Sequence, residues 1–67
     1  MRVEIRYKGV TYVTEADNDM DKSVEQVADT IRELVGKSAA FQFKLEDGSF
    51  LILGQDALKS ATYRVIP

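Results

Sequence analysis

The 67-residue sequence contains neither cysteine nor histidine. The lack of cysteine excludes disulfides, thiol catalysis and cysteine-based zinc or iron–sulfur sites, and the lack of histidine removes the usual general base and metal ligand. Because a cysteine-free domain is compatible with a reducing compartment, we expect a cytoplasmic protein. We also expect no cofactor, since most catalytic and metal chemistry is left without its usual residues.

Long hydrophobic runs are also missing. The first ten residues alternate charged with apolar side chains, so we expect neither a signal peptide nor a membrane anchor there. The net charge is −2 and the sequence pI is near 4.9, which argues against broad electrostatic capture of nucleic acid. The length predicts one small domain, 1–67, which buries only about 60% of the surface that its unfolded chain exposes.

The first segments predict a β-hairpin. Residues 2–8 and 10–14 alternate polar with apolar side chains, as strands with one buried face do, and Lys8-Gly9 can form a two-residue turn between them. In that register the core face carries Val3, Ile5, Tyr7, Val10 and Tyr12. The opposite face carries Arg2, Glu4, Arg6, Thr11 and Val13.

One amphipathic helix is predicted from Lys22 to Val35, because apolar residues recur there at helical spacing. Ser23 followed three residues later by Gln26 is typical of a capping box at a helix start. Gly36 can adopt the left-handed conformation that often ends a helix.

A second hairpin is predicted from residues 40–46 and 49–53, which flank the strong two-residue turn signal Asp47-Gly48. In this register the core face carries Phe41, Phe43, Leu45, Phe50 and Ile52. The other face carries Gln42, Lys44, Leu51 and Leu53. The second strand of this hairpin is therefore apolar on both faces.

Residues 54–59 predict a turn or a single helical turn, and residues 61–66 predict a fifth strand. The expected fold is α+β with the order ββαβββ, in which one mainly antiparallel sheet carries the helix on one face. A β-grasp-like mixed sheet, with the fifth strand beside the first, is the alternative. The order is similar to that of small bacterial and phage domains, but it is a layout without a motif and assigns no family.

Acidic residues alternate just ahead of the predicted helix, at Asp17, Asp19 and Asp21. Alternate carboxylates on a loop can bind Ca²⁺, but an EF-hand loop also needs a glycine and a closing glutamate where this sequence has Lys22 and Ala28. Acids near a helix start gain from the helix dipole and stay in water. A solvated connection is therefore the favoured interpretation, and a weak calcium site is the minor alternative.

One helix can cover only one face of the predicted sheet. The open face is expected to carry five of the nine basic residues but only two of the eleven acids, so its net charge is +3 while the rest of the chain carries −5. An apolar patch surrounded by charge is typical of an interaction surface. Alternatively, the long basic side chains cover the aliphatic ones and the face is only solvated. The predicted interaction face consists of Arg2, Arg6, Lys8, Val13, Lys44, Leu51, Leu53 and Arg64.

The sequence predicts a small non-enzymatic binding or assembly module. No base lies at a recognisable spacing from any serine and no glycine-rich phosphate loop is present, so we expect no enzyme. We expect a homodimer or a protein partner, bound through the open sheet face or the edge strands, and no membrane. A nucleic-acid or anionic-ligand binder is the alternative. It is the weaker candidate because the predicted register places the aromatic rings of the four strands in the two hairpins on the core face.

Overall fold

The computed structural model describes residues 1–16 and 22–67. The chain forms the elements β1 (Arg2–Tyr7), β2 (Val10–Val13), α1 (Val24–Lys37), β3 (Ala40–Lys44), β4 (Phe50–Gly54), α2 (Gln55–Ser60) and β5 (Thr62–Ile66). The α+β class and the order ββαβββ are confirmed. Of the two predictions for residues 54–59, a turn or a single helical turn, the helical one is confirmed by the short helix α2.

The strands form two antiparallel sheets instead of one. In the first sheet β1 lies between β2 and β5, and in the second β3 pairs with β4. Just past the ends of β2 and β3, an antiparallel bridge between Thr14 and Leu45 joins the two sheets. With this bridge included, the five strands lie side by side in the order β5, β1, β2, β3, β4. β5 lies beside β1, as the β-grasp alternative expected, but the two strands are antiparallel, so the mixed sheet of that alternative is wrong.

The hairpin of β1 and β2 forms as predicted. Lys8 has a φ of 49° and Gly9 a φ of 78°. A type I′ turn needs positive φ at both central residues, and its twist matches that of the two strands in a hairpin. Ile5 lies opposite Tyr12, and Tyr7 lies opposite Val10. The predicted register is confirmed.

The start of α1 also follows the prediction, but its end does not. The Gln26 N–H donates to the Ser23 hydroxyl (3.2 Å), and the Ser23 N–H donates to the Gln26 side chain (2.8 Å), which confirms the capping box. The prediction that Gly36 ends the helix is wrong. The Ser38 N–H still donates to the Leu34 carbonyl (2.9 Å), and the chain leaves the helix through Ser38 in an extended conformation.

The loop between β3 and β4 contains one residue more than predicted. The Leu45 N–H donates to the Ser49 carbonyl (2.8 Å), and the Gly48 N–H donates to the Leu45 carbonyl (3.0 Å), so Glu46, Asp47 and Gly48 form a three-residue loop. Gly48 has a φ of 89°, the left-handed conformation that this loop requires. The Asp47 carboxylate accepts from the Ser49 N–H (2.9 Å) and from its hydroxyl (2.5 Å), which holds the loop.

The extra loop residue moves β4 along β3 by one position, so that Phe43 lies opposite Leu51. Because strand side chains alternate, a shift of one residue exchanges the two faces of β4. Leu53 is 5% exposed and Leu51 is half-buried against the core, whereas Phe50 is 54% and Ile52 67% exposed. The prediction that Phe50 and Ile52 face the core while Leu51 and Leu53 face outward is therefore wrong.

The core is small and joins both sheets to α2. Its buried side chains are Ile5, Phe43, Leu45, Leu53 and Leu58. Ile5 of β1 and Leu58 of α2 have no exposed surface. The longer helix α1 packs against β5 and α2 through a half-buried apolar face, without a fully buried residue. The deepest helical contact thus comes from α2, through a core residue that the sequence pattern did not predict.

Truncation of Leu58 tests the contribution of α2 to the core. Because the side chain is fully buried, we expect Leu58→Ala to lower the free energy of unfolding by about 2–5 kcal/mol in urea denaturation. Val10→Ala is the control, because Val10 is 49% exposed, and it should change stability by less than about 1 kcal/mol. A similarly small loss for Leu58→Ala would show that α2 does not anchor the core.

The pH dependence of stability tests the loop. The two hydrogen bonds from Ser49 lower the pKa of the Asp47 carboxyl below its ordinary 3.8. Because the pKa is lower in the folded state, the stabilisation is fully present above the unfolded pKa and is lost as the pH falls through the folded pKa. We expect Asp47→Asn to be less stable than the unaltered protein at neutral pH.

Urea denaturation should show this difference shrinking once the pH falls below about 4. Glu46→Gln is the matched control, because it removes the same charge from the same loop without touching the bonds to Ser49. A stability difference for Asp47→Asn that stays constant with pH would show that the carboxylate charge does not hold the loop.

Candidate protein interface

Two large apolar side chains lie together on the outer face of β4. Phe50 and Ile52 are the most exposed large hydrophobic residues among those the structure describes, and their spacing of two places them on one side of the strand. We call this pair the β4 patch. Across the strand pair, Lys44 lies opposite Phe50 and Gln42 lies opposite Ile52. The patch is therefore apolar with a polar flank on β3.

The backbone N–H and C=O groups of the two β4 patch residues point away from β3, toward the open edge of the sheet. Within the described ranges β4 pairs with β3 alone. The bond from the Leu45 N–H to the Ser49 carbonyl marks a hydrogen-bonded pair. Because hydrogen-bonded and non-hydrogen-bonded pairs alternate along an antiparallel ladder, Leu51 and Leu53 direct their backbone groups to β3. The patch residues direct theirs away from it.

The edge at β5 is different. Arg64 lies within this strand and Pro67 follows it. A charge and a proline are two ways in which proteins prevent edge strands from pairing with other chains. The five residues of β4 read Phe-Leu-Ile-Leu-Gly, with no charge and no proline. Of the two edges, β4 is the one equipped to accept another strand.

The predicted interaction face is only partly assembled. Arg2, Arg6 and Arg64 are exposed on the outer face of the first sheet, as predicted, and Glu4 lies between Val13 and Arg64 in the cross-strand pairing. Val13 is half-buried there. None of the three arginines forms an ion pair with another residue in 1–16 or 22–67. The basic part of the predicted face therefore exists on β1 and β5.

The two lysines of the predicted face contact residues other than these arginines. The Lys44 ammonium is 3.7 Å from the Glu15 carboxylate, and both side chains are about half exposed, so the pair contributes little. The Lys8 ammonium lies 5.4 Å from the ring centroid of Tyr7, a residue that packs against the core. The eight predicted residues do not form one surface.

The exposed apolar residues of β4 are not the two that were predicted. Leu51 and Leu53 lie on the core side, and the β4 patch takes the exposed position instead. The sequence contains one signal for this arrangement, because a serine two residues after Asp47 can bind the aspartate and favour the longer loop.

The candidate calcium residues Asp17, Asp19 and Asp21 lie outside the described residues. In the part of the chain that is described, no group of three or more acidic side chains could hold a metal ion.

Comparison with known protein families, curated proteins and solved structures finds no match. Among the described residues, neither helix has the length and apolar character needed to cross a membrane.

Proposed function

We propose that this protein is a small non-enzymatic assembly module that forms a homodimer by pairing β4 with β4 of a second copy. One observation carries the proposal: Phe50 and Ile52 expose their side chains and also direct their backbone groups to an open sheet edge. A strand added at this edge gains backbone hydrogen bonds and buries apolar side chains at the same time.

A second copy is the partner that β4 itself favours. Dimers with two-fold symmetry bring the same surface of both subunits together, so the surface must be complementary to itself. A strand without charged residues meets no like-charge repulsion when it pairs with its own copy. The small core supports association too, because a domain of this size buries little apolar surface alone.

Symmetry and the outward backbone groups define an expected register. Phe50 of each subunit lies opposite the partner's Ile52, and the two-fold axis passes beside Leu51. In this register the N–H and C=O of both patch residues bond across the interface. It also sets an aromatic ring against a β-branched side chain, a cross-strand pair that contributes about 0.2–1 kcal/mol.

A charge placed in the β4 patch tests this dimer. Ile52→Lys replaces the apolar neighbour of the partner's Phe50 with an ammonium, and two-fold symmetry places two such charges in the same strand pair. We expect the variant to associate at least about tenfold more weakly than the unaltered protein in sedimentation velocity experiments over a range of concentrations.

Thr62→Lys is the matched control, because it adds the same charge at an exposed position of the other edge strand, β5. It should leave the dimer intact. A monomer at every concentration up to the high micromolar range would refute a stable dimer, and equal weakening by both variants would refute its location at β4.

The three exposed arginines of the first sheet favour a second candidate function, the binding of an anionic ligand such as nucleic acid. Arg2 and Arg6 lie on β1 and Arg64 lies on the neighbouring strand β5, all on one face. Arginines in this arrangement can contact phosphates. The described residues of this face include no aromatic side chain, so binding would be electrostatic and strongly dependent on salt.

Charge reversal at one arginine tests this candidate. We expect Arg6→Glu to weaken the salt-sensitive mobility shift of a labelled oligonucleotide by at least about tenfold. Ile52→Lys should not weaken it. Unaltered protein that shifts no oligonucleotide at low salt would refute nucleic-acid binding.

A further inference from the structure

A groove separates α1 from α2 and β5, away from the β4 patch. Its volume is about 440 Å³, and its apolar lining includes Ile31 and Val35 of α1 and Tyr63 and Val65 of β5, with the fully buried Leu58 of α2 beneath them. The groove exists because the apolar face of α1 is only half-buried against its neighbours.

The dimensions of the groove fit a small molecule. Ligand sites in proteins are mostly apolar clefts of about 300–1,000 Å³ with a few polar groups that orient the ligand. The Tyr63 hydroxyl donates to the Leu58 carbonyl (2.8 Å). With its hydroxyl engaged in this way, Tyr63 contributes mainly apolar ring surface.

The charged residues of the groove have one sign. Arg32 and Lys59 line it, and no acidic side chain of the described residues does. The Arg32 guanidinium pairs with Asp29 on the same helix, but both groups are largely exposed, so the pair is weak and the other guanidinium donors remain available. Lys59 forms no ion pair within residues 1–16 and 22–67. The charged side chains that line the groove therefore complement a negative ligand group.

We infer that this groove binds a single-chain amphiphilic carboxylate, as the free monomeric acid. The apolar lining accommodates the hydrocarbon chain. Arg32 and Lys59 bind the carboxylate through charge-assisted hydrogen bonds, for which guanidinium and ammonium groups are suited. The inference concerns a different surface from the dimer and does not depend on it.

Titration with dodecanoate, kept below its micelle concentration and followed by NMR, tests the inference. We expect saturable shift changes at Ile31, Val35 and Tyr63. Dodecyltrimethylammonium has the same chain with a positive head group, and it should bind at least about tenfold more weakly.

A double variant tests the two cations. Arg32→Gln combined with Lys59→Gln should weaken dodecanoate binding by at least about tenfold. Lys37→Gln is the matched control, because Lys37 lies on α1 and pairs with Glu33 outside the groove lining. Both groove cations are exposed, so circular dichroism should show an unchanged fold.

Several results would overturn the inference. These are the lack of saturable shifts with dodecanoate, equal binding of the cationic amphiphile, and unchanged affinity in the double variant. Shift changes that occur with phosphatidylglycerol vesicles but not with free dodecanoate would also overturn it, because they would assign the groove to a membrane surface.

Discussion

The loop between β3 and β4 determines which side chains this molecule exposes. The Asp47 carboxylate binds the N–H and hydroxyl of Ser49, and Gly48 takes the left-handed conformation, so the loop has three residues. Because side chains alternate along a strand, this loop length places Leu51 and Leu53 in the core and the β4 patch outside. Core packing and the candidate interface thus depend on the same few hydrogen bonds.

The composition of β4 explains why the outer face matters. All four residues before its final glycine are large and apolar, so either register buries two apolar side chains and exposes two. Hydrophobic burial alone hardly distinguishes the registers, and the loop geometry decides between them. A strand that is apolar on both faces is typical of strands covered on both sides. In a single copy the outer face of β4 is uncovered and its outer edge is unpaired; pairing with another β4 satisfies the edge and sets the exposed patch side chains beside apolar neighbours.

Local sequence signals predicted the elements that are determined locally. The Lys8-Gly9 turn fixes the first hairpin, and Ser23 with Gln26 fixes the start of α1, because these motifs satisfy their own backbone groups. The position of Leu58 in the core could not be predicted, since six helical residues are too few for a clear periodicity. For the candidate site, the outward direction of the arginines could be predicted because side chains alternate along β1 and β5. The prediction that Leu51 and Leu53 are exposed was wrong because Asp47-Gly48 fits both a two-residue and a three-residue loop.

Amide hydrogen exchange along β4, measured at several protein concentrations, tests the proposed interface most directly. The amides of Leu51 and Leu53 bond to β3, so they should be protected at every concentration. The amides of Phe50 and Ile52 should gain protection only as the concentration rises and two copies pair. Rapid exchange of these two amides in concentrated solution would contradict a β4 dimer.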